Sequence, residues 1–229
     1  MLSNFSAAGA RFARLVAIGA MLTGVATVAQ LDRCQAQSIK TVVVPPTGEY
    51  GTIDTTQTIA LMRTLGATSG HENDALVDGI KARADTHPPP VFFALAQLLY
   101  QRGDLDDSIF WFNAGRLRAS YDAMRCADIS ARSAVPALVM QIPVELRKAQ
   151  FGDPDKLRTI ITKVIAWDEA TPHNYDHRWI NLHGLQAFGG GTAPLSVPQD
   201  KWDGLARQVR EDYRKGLEEA IALSNKPKQ

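Results

Sequence analysis

The chain of 229 residues is long enough to bury a hydrophobic core without disulfide or metal staples. Apolar residues make up 45 % of it, which excludes global disorder, and 25 Lys and Arg residues almost balance 24 Asp and Glu residues. A net charge of +1 argues against a strongly basic nucleic-acid-binding protein, so we expect no nucleic-acid partner. Two cysteines are too few for a disulfide scaffold or a four-thiolate zinc site.

The N-terminal segment has the pattern of a secretory signal peptide. No acidic residue occurs before Asp32, and Arg11 and Arg14 precede an apolar run over residues 15–29. That run is shorter than the roughly 20 apolar residues of a membrane span. We therefore expect a bacterial protein of the periplasm or the extracellular space, with no stable membrane span in the mature chain.

Two cleavage sites are compatible with this signal peptide, and the choice between them determines whether the mature chain keeps Cys34. Ala29 and Ala36 each end a small-x-small tripeptide, and we favour Ala36, which makes residues 1–36 the cleaved segment. Cleavage there removes Cys34 and leaves Cys126 as the only thiol. Cleavage after Ala29 instead permits a disulfide between the two cysteines.

The mature chain divides into three predicted parts. Residues 37–51 are expected to form an extended or disordered leader, because the β-prone run Val42–Val44 is followed by prolines and a glycine. Helical signals dominate residues 52–223, and residues 224–229 are expected to fray. The sequence thus predicts an all-α fold.

Local signals place the first helices. Capping-box patterns at Asp54–Gln57 and Ser69–Glu72 start two helices, and Gly66 is the expected end of the first. The prolines at 88–90 then open an apolar helix, which Gly103 ends.

Prolines and aspartates place the later helices. Asp104 caps the helix after Gly103, whereas Pro136 and Pro143 interrupt the helical segment over residues 130–149. Asp153 is the expected N-cap of the next helix, since a proline follows it.

The last helix is expected to begin near Pro198. Apolar residues at helical spacing from Trp202 to Ile221 predict its inner face. Charged residues, among them Arg207 and Arg210, predict its outer face.

Two Gly-Asp-x-Asp turns, at residues 103–106 and 152–155, each join an apolar segment to an amphipathic helix. The residues around the first turn resemble a tetratricopeptide or Sel1-like repeat. The matching positions are Phe92, Leu95, Ala96, Leu99, Gly103, Ser108, Phe112 and Gly115. The resemblance is good over residues 89–120 and degenerate over residues 138–171. It implies helical hairpins stacked as a short α-solenoid, with a concave groove that binds peptides or partner proteins.

The chain departs from the family pattern in two places. The proline that follows the second helix of the repeat is absent, because the region reads Arg118-Ala119-Ser120. In the second copy, Glu145 stands where a small residue is expected. An ordinary helical hairpin in a globular domain is the alternative to the repeat.

Arginines in the central region are candidate binding residues. They are Arg116, Arg118, Arg125 and Arg132, with Tyr121 among them. Such a group could form a patch that binds an acidic partner. A solvated helix face is the alternative interpretation.

The densest group of potential metal ligands follows Pro172. It contains His173, Asp176, His177 and His183. We predict hydrogen-bonded structural histidines and no metal or cofactor, because His183 is not at a same-face helical spacing from His177.

Nucleophilic catalysis has weak support. Cys126 is expected to be buried, although Arg125 beside it could lower the pKa of its thiol. The Gly-x-Ser-x-Gly motif of serine hydrolases is absent. The sequence therefore favours an exported, non-catalytic protein- or peptide-binding module, such as an adaptor or immunity-type protein of the bacterial envelope. The alternative is a small periplasmic hydrolase or metal-binding protein that uses the segment His173–His183.

Overall fold

The computed structural model describes residues 47–189 and 193–224. The predicted signal peptide, Cys34 and the leader up to residue 46 lie outside the described residues, as do residues 225–229. The α-helices are α1 (Thr56–Ala67), α2 (Asp74–Ala82), α3 (Pro89–Gln101), α4 (Leu105–Arg125), α5 (Ala134–Gln141), α6 (Val144–Ala149), α7 (Pro154–Ala170), α8 (Gln186–Gly189) and α9 (Trp202–Ser224). Short 3₁₀ helices cover Gly48–Thr52, Ala84–Thr86, Ile129–Ser133, His177–His183 and Gln199–Lys201.

The all-α prediction is confirmed. In the described part of the chain, β-structure is limited to one isolated antiparallel bridge, between Cys126 and Ser196. Over the same residues, no helix combines the length and the apolar composition that a membrane crossing requires.

Helices α3 and α4 form the antiparallel hairpin that the first Gly-Asp turn predicts. Gly103 has a φ of 86°, a left-handed conformation that glycine adopts without strain. The Ser108 hydroxyl donates to the Ala96 carbonyl at 2.8 Å. A methyl group on Gly115 would lie 3.2 Å from the Phe93 ring, so the two helices approach closely there. The hairpin is as expected, and the repeat-family resemblance stays a prediction.

Aromatic rings join this hairpin to α7. The Trp111 ring centroid lies 5.2 Å from that of Phe92 and 5.5 Å from that of Trp167. Phe110 completes the cluster, at 5.3 Å from Trp111. Edge-to-face packing of this kind adds about 0.5–1.5 kcal/mol per pair to the gain from apolar burial.

The described end of the leader differs from its prediction. Residues 48–52 form a 3₁₀ helix rather than extended or disordered chain. The reason is the burial of Tyr50, which packs with Ile53, Ala187 and Leu195 in a second, smaller apolar cluster. Burial of an aromatic ring offsets the conformational entropy that an ordered leader loses.

The helix-boundary predictions are largely confirmed. The Asp153 carboxylate accepts from the Lys156 backbone N–H at 3.0 Å and so caps α7. Pro143 separates α5 from α6, so two short helices precede the second Gly-Asp turn. Other boundaries are displaced. Helix α1 continues through Gly66 to Ala67, and α2 begins at Asp74 rather than directly after Ser69. Pro136 lies within α5 and does not interrupt it, and the Asp104 side chain makes no capping hydrogen bond to α4.

Helix α9 packs along α4 and α7. Its Val209, Leu217 and Ile221 side chains are buried, as the predicted inner face requires. The Tyr213 hydroxyl donates to the Asn113 side-chain oxygen at 2.7 Å, which fixes the two helices against each other.

Candidate functional site

Arg118, one of the predicted binding residues, is fully buried in the interior. Its Nε donates to Asp168 at 3.0 Å and its Nη2 donates to the Thr171 carbonyl at 2.7 Å. The guanidinium carbon lies 4.3 Å from the Trp167 ring centroid. Arg118 therefore belongs neither to a surface patch nor to a solvated helix face, because its donors are used inside the fold.

Asp168 is the centre of a buried ionic network. Besides Arg118, its carboxylate has Nε2 of His173 at 3.2 Å and Nε of Arg210 at 2.9 Å. Burial alone would raise the pKa of this carboxyl, but the hydrogen bond and charge of His173, with the two arginines, lower it below its ordinary value. Arg178 is not part of this network, because its guanidinium pairs with Asp176.

A second buried carboxylate, Asp122, lies on α4 one turn beyond Arg118. It accepts from Trp179 Nε1 at 2.7 Å and from Arg125. Burial raises the pKa of Asp122 despite these donors. The Arg125 guanidinium carbon lies 4.2 Å from the Tyr121 ring centroid. Arg125 and most of Tyr121 are therefore also interior groups, which leaves Arg116 and Arg132 nearer the surface.

The potential metal ligands after Pro172 do not converge. Each has its own partner: His173 with Asp168, Asp176 with Arg178, His177 with Ser196, and His183 with the Trp179 ring. Over residues 47–189 and 193–224, no group of three or more His, Cys, Asp or Glu side chains is arranged to hold a metal ion. Two of these histidines, His177 and His183, have pKa values lowered by burial.

The His177–Ser196 contact is the feature closest to hydrolase chemistry. Nε2 of His177 lies 2.8 Å from the Ser196 hydroxyl oxygen, the distance that a base needs to activate a nucleophile. Burial, with the charges of Arg125 and Arg178, lowers the pKa of His177 to about 4. An imidazole with that pKa is a poor general base at neutral pH, so the contact does not by itself support catalysis.

Cys126 is equally unsuited to nucleophilic chemistry. The residue is buried and forms no disulfide within the described residues. Burial raises the pKa of its thiol to about 11. The expectation that Arg125 lowers this pKa is wrong, because the Arg125 guanidinium is engaged with Asp122.

The main concave surface runs along α9 and is here named the α9 groove. It consists of two adjoining concavities of about 360 and about 170 Å³, which share Asp212 and Tyr213. The first is also lined by Ser120, Ala123, Met124, Arg132, Val135 and Val209. The second is also lined by Arg116, Phe151, Gly216, Leu217 and Ala220.

The two concavities of the α9 groove together border a long stretch of α9. From Val209 to Ala220 the groove follows α9 for about 16 Å, or about three helical turns. Arg116 stands at its edge, with its guanidinium carbon 5.6 Å from the Phe112 ring and 5.5 Å from the Tyr213 ring. These rings hold the cation in place without using its hydrogen-bond donors.

Comparisons with protein-family models, with curated proteins and with solved structures gave no match to this chain.

Proposed function

We propose that this chain is a non-catalytic module that binds a peptide segment of a protein partner in the α9 groove. The observation that carries the proposal is the pair of adjoining concavities between α4 and α9, with small residues Ser120, Ala123 and Gly216 in their lining. Small side chains leave room for apolar anchors of a ligand, and apolar grooves of this width take peptides whose anchors recur every three or four residues.

The charges at the edge of the α9 groove indicate the kind of peptide. Arg116 and Arg132 are opposed by Asp212 alone. A net positive edge favours acidic residues beside the apolar anchors and raises the association rate for such a peptide. The proposed ligand is therefore a short amphipathic segment with acidic flanks.

The sequence-level predictions agree with this class of ligand. The tetratricopeptide-like resemblance implies peptide or protein binding. The signal-peptide pattern is typical of a protein of the bacterial periplasm or the extracellular space. In this proposal the protein is an adaptor or immunity-type component of the envelope, an assignment made from fold-level analogy.

Gly216 allows the proposal to be tested without damage to the fold. A Cβ built on this residue meets nothing within 4 Å, so a Trp side chain there would fill the groove rather than the core. Gly204, on the same helix, is equally open but does not line the α9 groove. The pair Gly216→Trp and Gly204→Trp therefore compares a plugged groove with a matched control.

The experiment selects ligands from a phage-displayed library of random peptides against the full chain. We expect enriched peptides to carry apolar anchors with acidic flanks, to lose binding at least tenfold on Gly216→Trp, and to keep it on Gly204→Trp. Failure to enrich any peptide, or peptides that bind the two variants equally, would contradict the proposal.

A further inference from the structure

A polar cleft lies beside the first turns of α9 and shares no lining residue with the α9 groove. Its volume is about 330 Å³, near the lower end of the range for small-molecule sites. Its lining residues are Tyr121, Glu169, His173, Asp203, Ala206, Arg207 and Arg210. Helices α4, α7 and α9 and the segment after α7 each contribute to it.

Two basic side chains at the base of this polar cleft are fixed in place by the ionic network below them. The Arg210 and His173 side chains are each 16 % exposed, and both bind Asp168. Arg210 uses Nε and Nη2 in these contacts, whereas its Nη1 makes no hydrogen bond to any described residue. The carboxylate oxygen next to this Nη1 atom belongs to Glu169 and lies 3.9 Å away. Arg210 thus offers oriented donors to a ligand at little entropic cost.

The charges that face the polar cleft are balanced. Asp168 is compensated from below by the fully buried Arg118. The lining then carries two guanidinium groups, those of Arg207 and Arg210. It also carries two carboxylates, those of Glu169 and Asp203. Balanced charges of both signs in a small cleft favour a ligand that itself carries both charges over a simple anion or cation.

We propose that the polar cleft binds a free α-amino acid as its zwitterion. The ligand carboxylate pairs with Arg210 and Arg207, and its ammonium group pairs with Asp203 and Glu169. The Tyr121 ring lines the polar cleft and forms an apolar wall for the ligand. The site is independent of the α9 groove, and the proposal does not rest on peptide binding there.

The first test uses isothermal titration calorimetry on the full chain with the standard L-amino acids at millimolar concentration. The tightest amino acid is then compared with its amide, which lacks the carboxylate charge, and with its N-acetyl form, which lacks the ammonium charge. We expect each derivative to bind at least tenfold more weakly. An absence of binding, or a derivative that binds as tightly as the free amino acid, would overturn the proposal. Retained binding of the N-acetyl form would instead identify a simple carboxylate site.

Variants at the exposed edge locate the ligand. Arg207→Ala and Asp203→Asn are each expected to weaken binding at least fivefold, and both positions are exposed, so the fold should be kept. Arg214 lies on the same face of α9, two turns further along and outside the polar cleft. Arg214→Ala should leave the affinity unchanged. Equal effects of Arg207→Ala and Arg214→Ala would show that the cleft is not the site.

Discussion

The two halves of α4 are buried to a similar depth by opposite means. Its first half packs Ile109, Trp111 and Phe112 into an apolar and aromatic core. Its second half buries Arg118, Asp122 and Arg125. Apolar packing is non-directional and independent of protonation. The ionic half depends on individual donor–acceptor pairs, so its stability varies with pH and its geometry is more narrowly defined.

The ionic half of α4 is also the part that shapes the polar cleft. Asp168, held from below by Arg118, orients Arg210 and His173. The Tyr121 hydroxyl donates to the Trp202 carbonyl at 3.3 Å and so attaches the start of α9 to α4. This explains why charges are buried where apolar residues would fill the same space. Replacing a buried ion pair by apolar residues often costs no stability, so a role in positioning is the better account of the network.

The largest expected effect on stability is that of removing Arg118 from the ionic half of α4. Arg118→Ala leaves Asp168 without its buried partner and the Thr171 carbonyl without its donor, so we expect a loss of about 3–5 kcal/mol in the free energy of unfolding. Urea unfolding near neutral pH measures it. A loss below about 1 kcal/mol would mean that water or Arg210 replaces the missing cation.

Leu95→Ala is the matched change in the apolar core, since Leu95 is fully buried on α3, the partner of α4 in the hairpin. Its expected loss is about 2–5 kcal/mol. Because the pKa of Asp168 is lowered in the fold, its contribution to stability is present above its unfolded pKa and disappears as the pH falls through its folded pKa. The deficit of Arg118→Ala should therefore shrink in acid, where Asp168 becomes neutral. The deficit of Leu95→Ala should not change in this way.

Substitution of His177 is expected to have a smaller effect on the free energy of unfolding, and this effect depends on pH. Its folded pKa of about 4 lies below the ordinary 6.5, so protons bind the unfolded chain first and stability falls as the pH drops from above 6.5 towards 4. We expect His177→Gln to remove about 1–2 kcal/mol of the loss between about pH 7 and pH 5, less than the full linkage value because the ring is partly solvated.

The control for this prediction is His71→Gln, since the His71 side chain is 74 % exposed. The measurement is the unfolding free energy of both variants at the two pH values. The pKa of His183 is also lowered in the fold, so the wild-type loss will exceed the share of His177. Identical pH dependence in the wild type and His177→Gln would show that this ring does not remain neutral in the fold.

The helices could be predicted from the sequence because their ends depend on nearby residues. Asp153 caps α7 through an N–H only three residues away. The turn between α3 and α4 depends on the left-handed backbone of Gly103. The burial of Arg118 could not be predicted, because its partner Asp168 is 50 residues away and α4 is covered on several sides. Helical periodicity likewise assigned Arg210 to an outer face, although its long side chain reaches inward to Asp168. The α9 groove could not be predicted, because it depends on the packing of helices that are distant in the sequence.

The smallest expected effect compares the two ends of α9. Gly204 lies near the ionic half of α4 and Gly216 lines the α9 groove, and a Cβ at either meets nothing within 4 Å. Both have helical rather than left-handed backbone, so Gly204→Ala and Gly216→Ala should each stabilise the fold by about 0.5–1 kcal/mol, through lower entropy of the unfolded chain. Thermal unfolding measures both. Stabilisation by Gly204→Ala but loss of stability with Gly216→Ala would mean that the groove is closed in solution, because only a filled groove would resist the added methyl group.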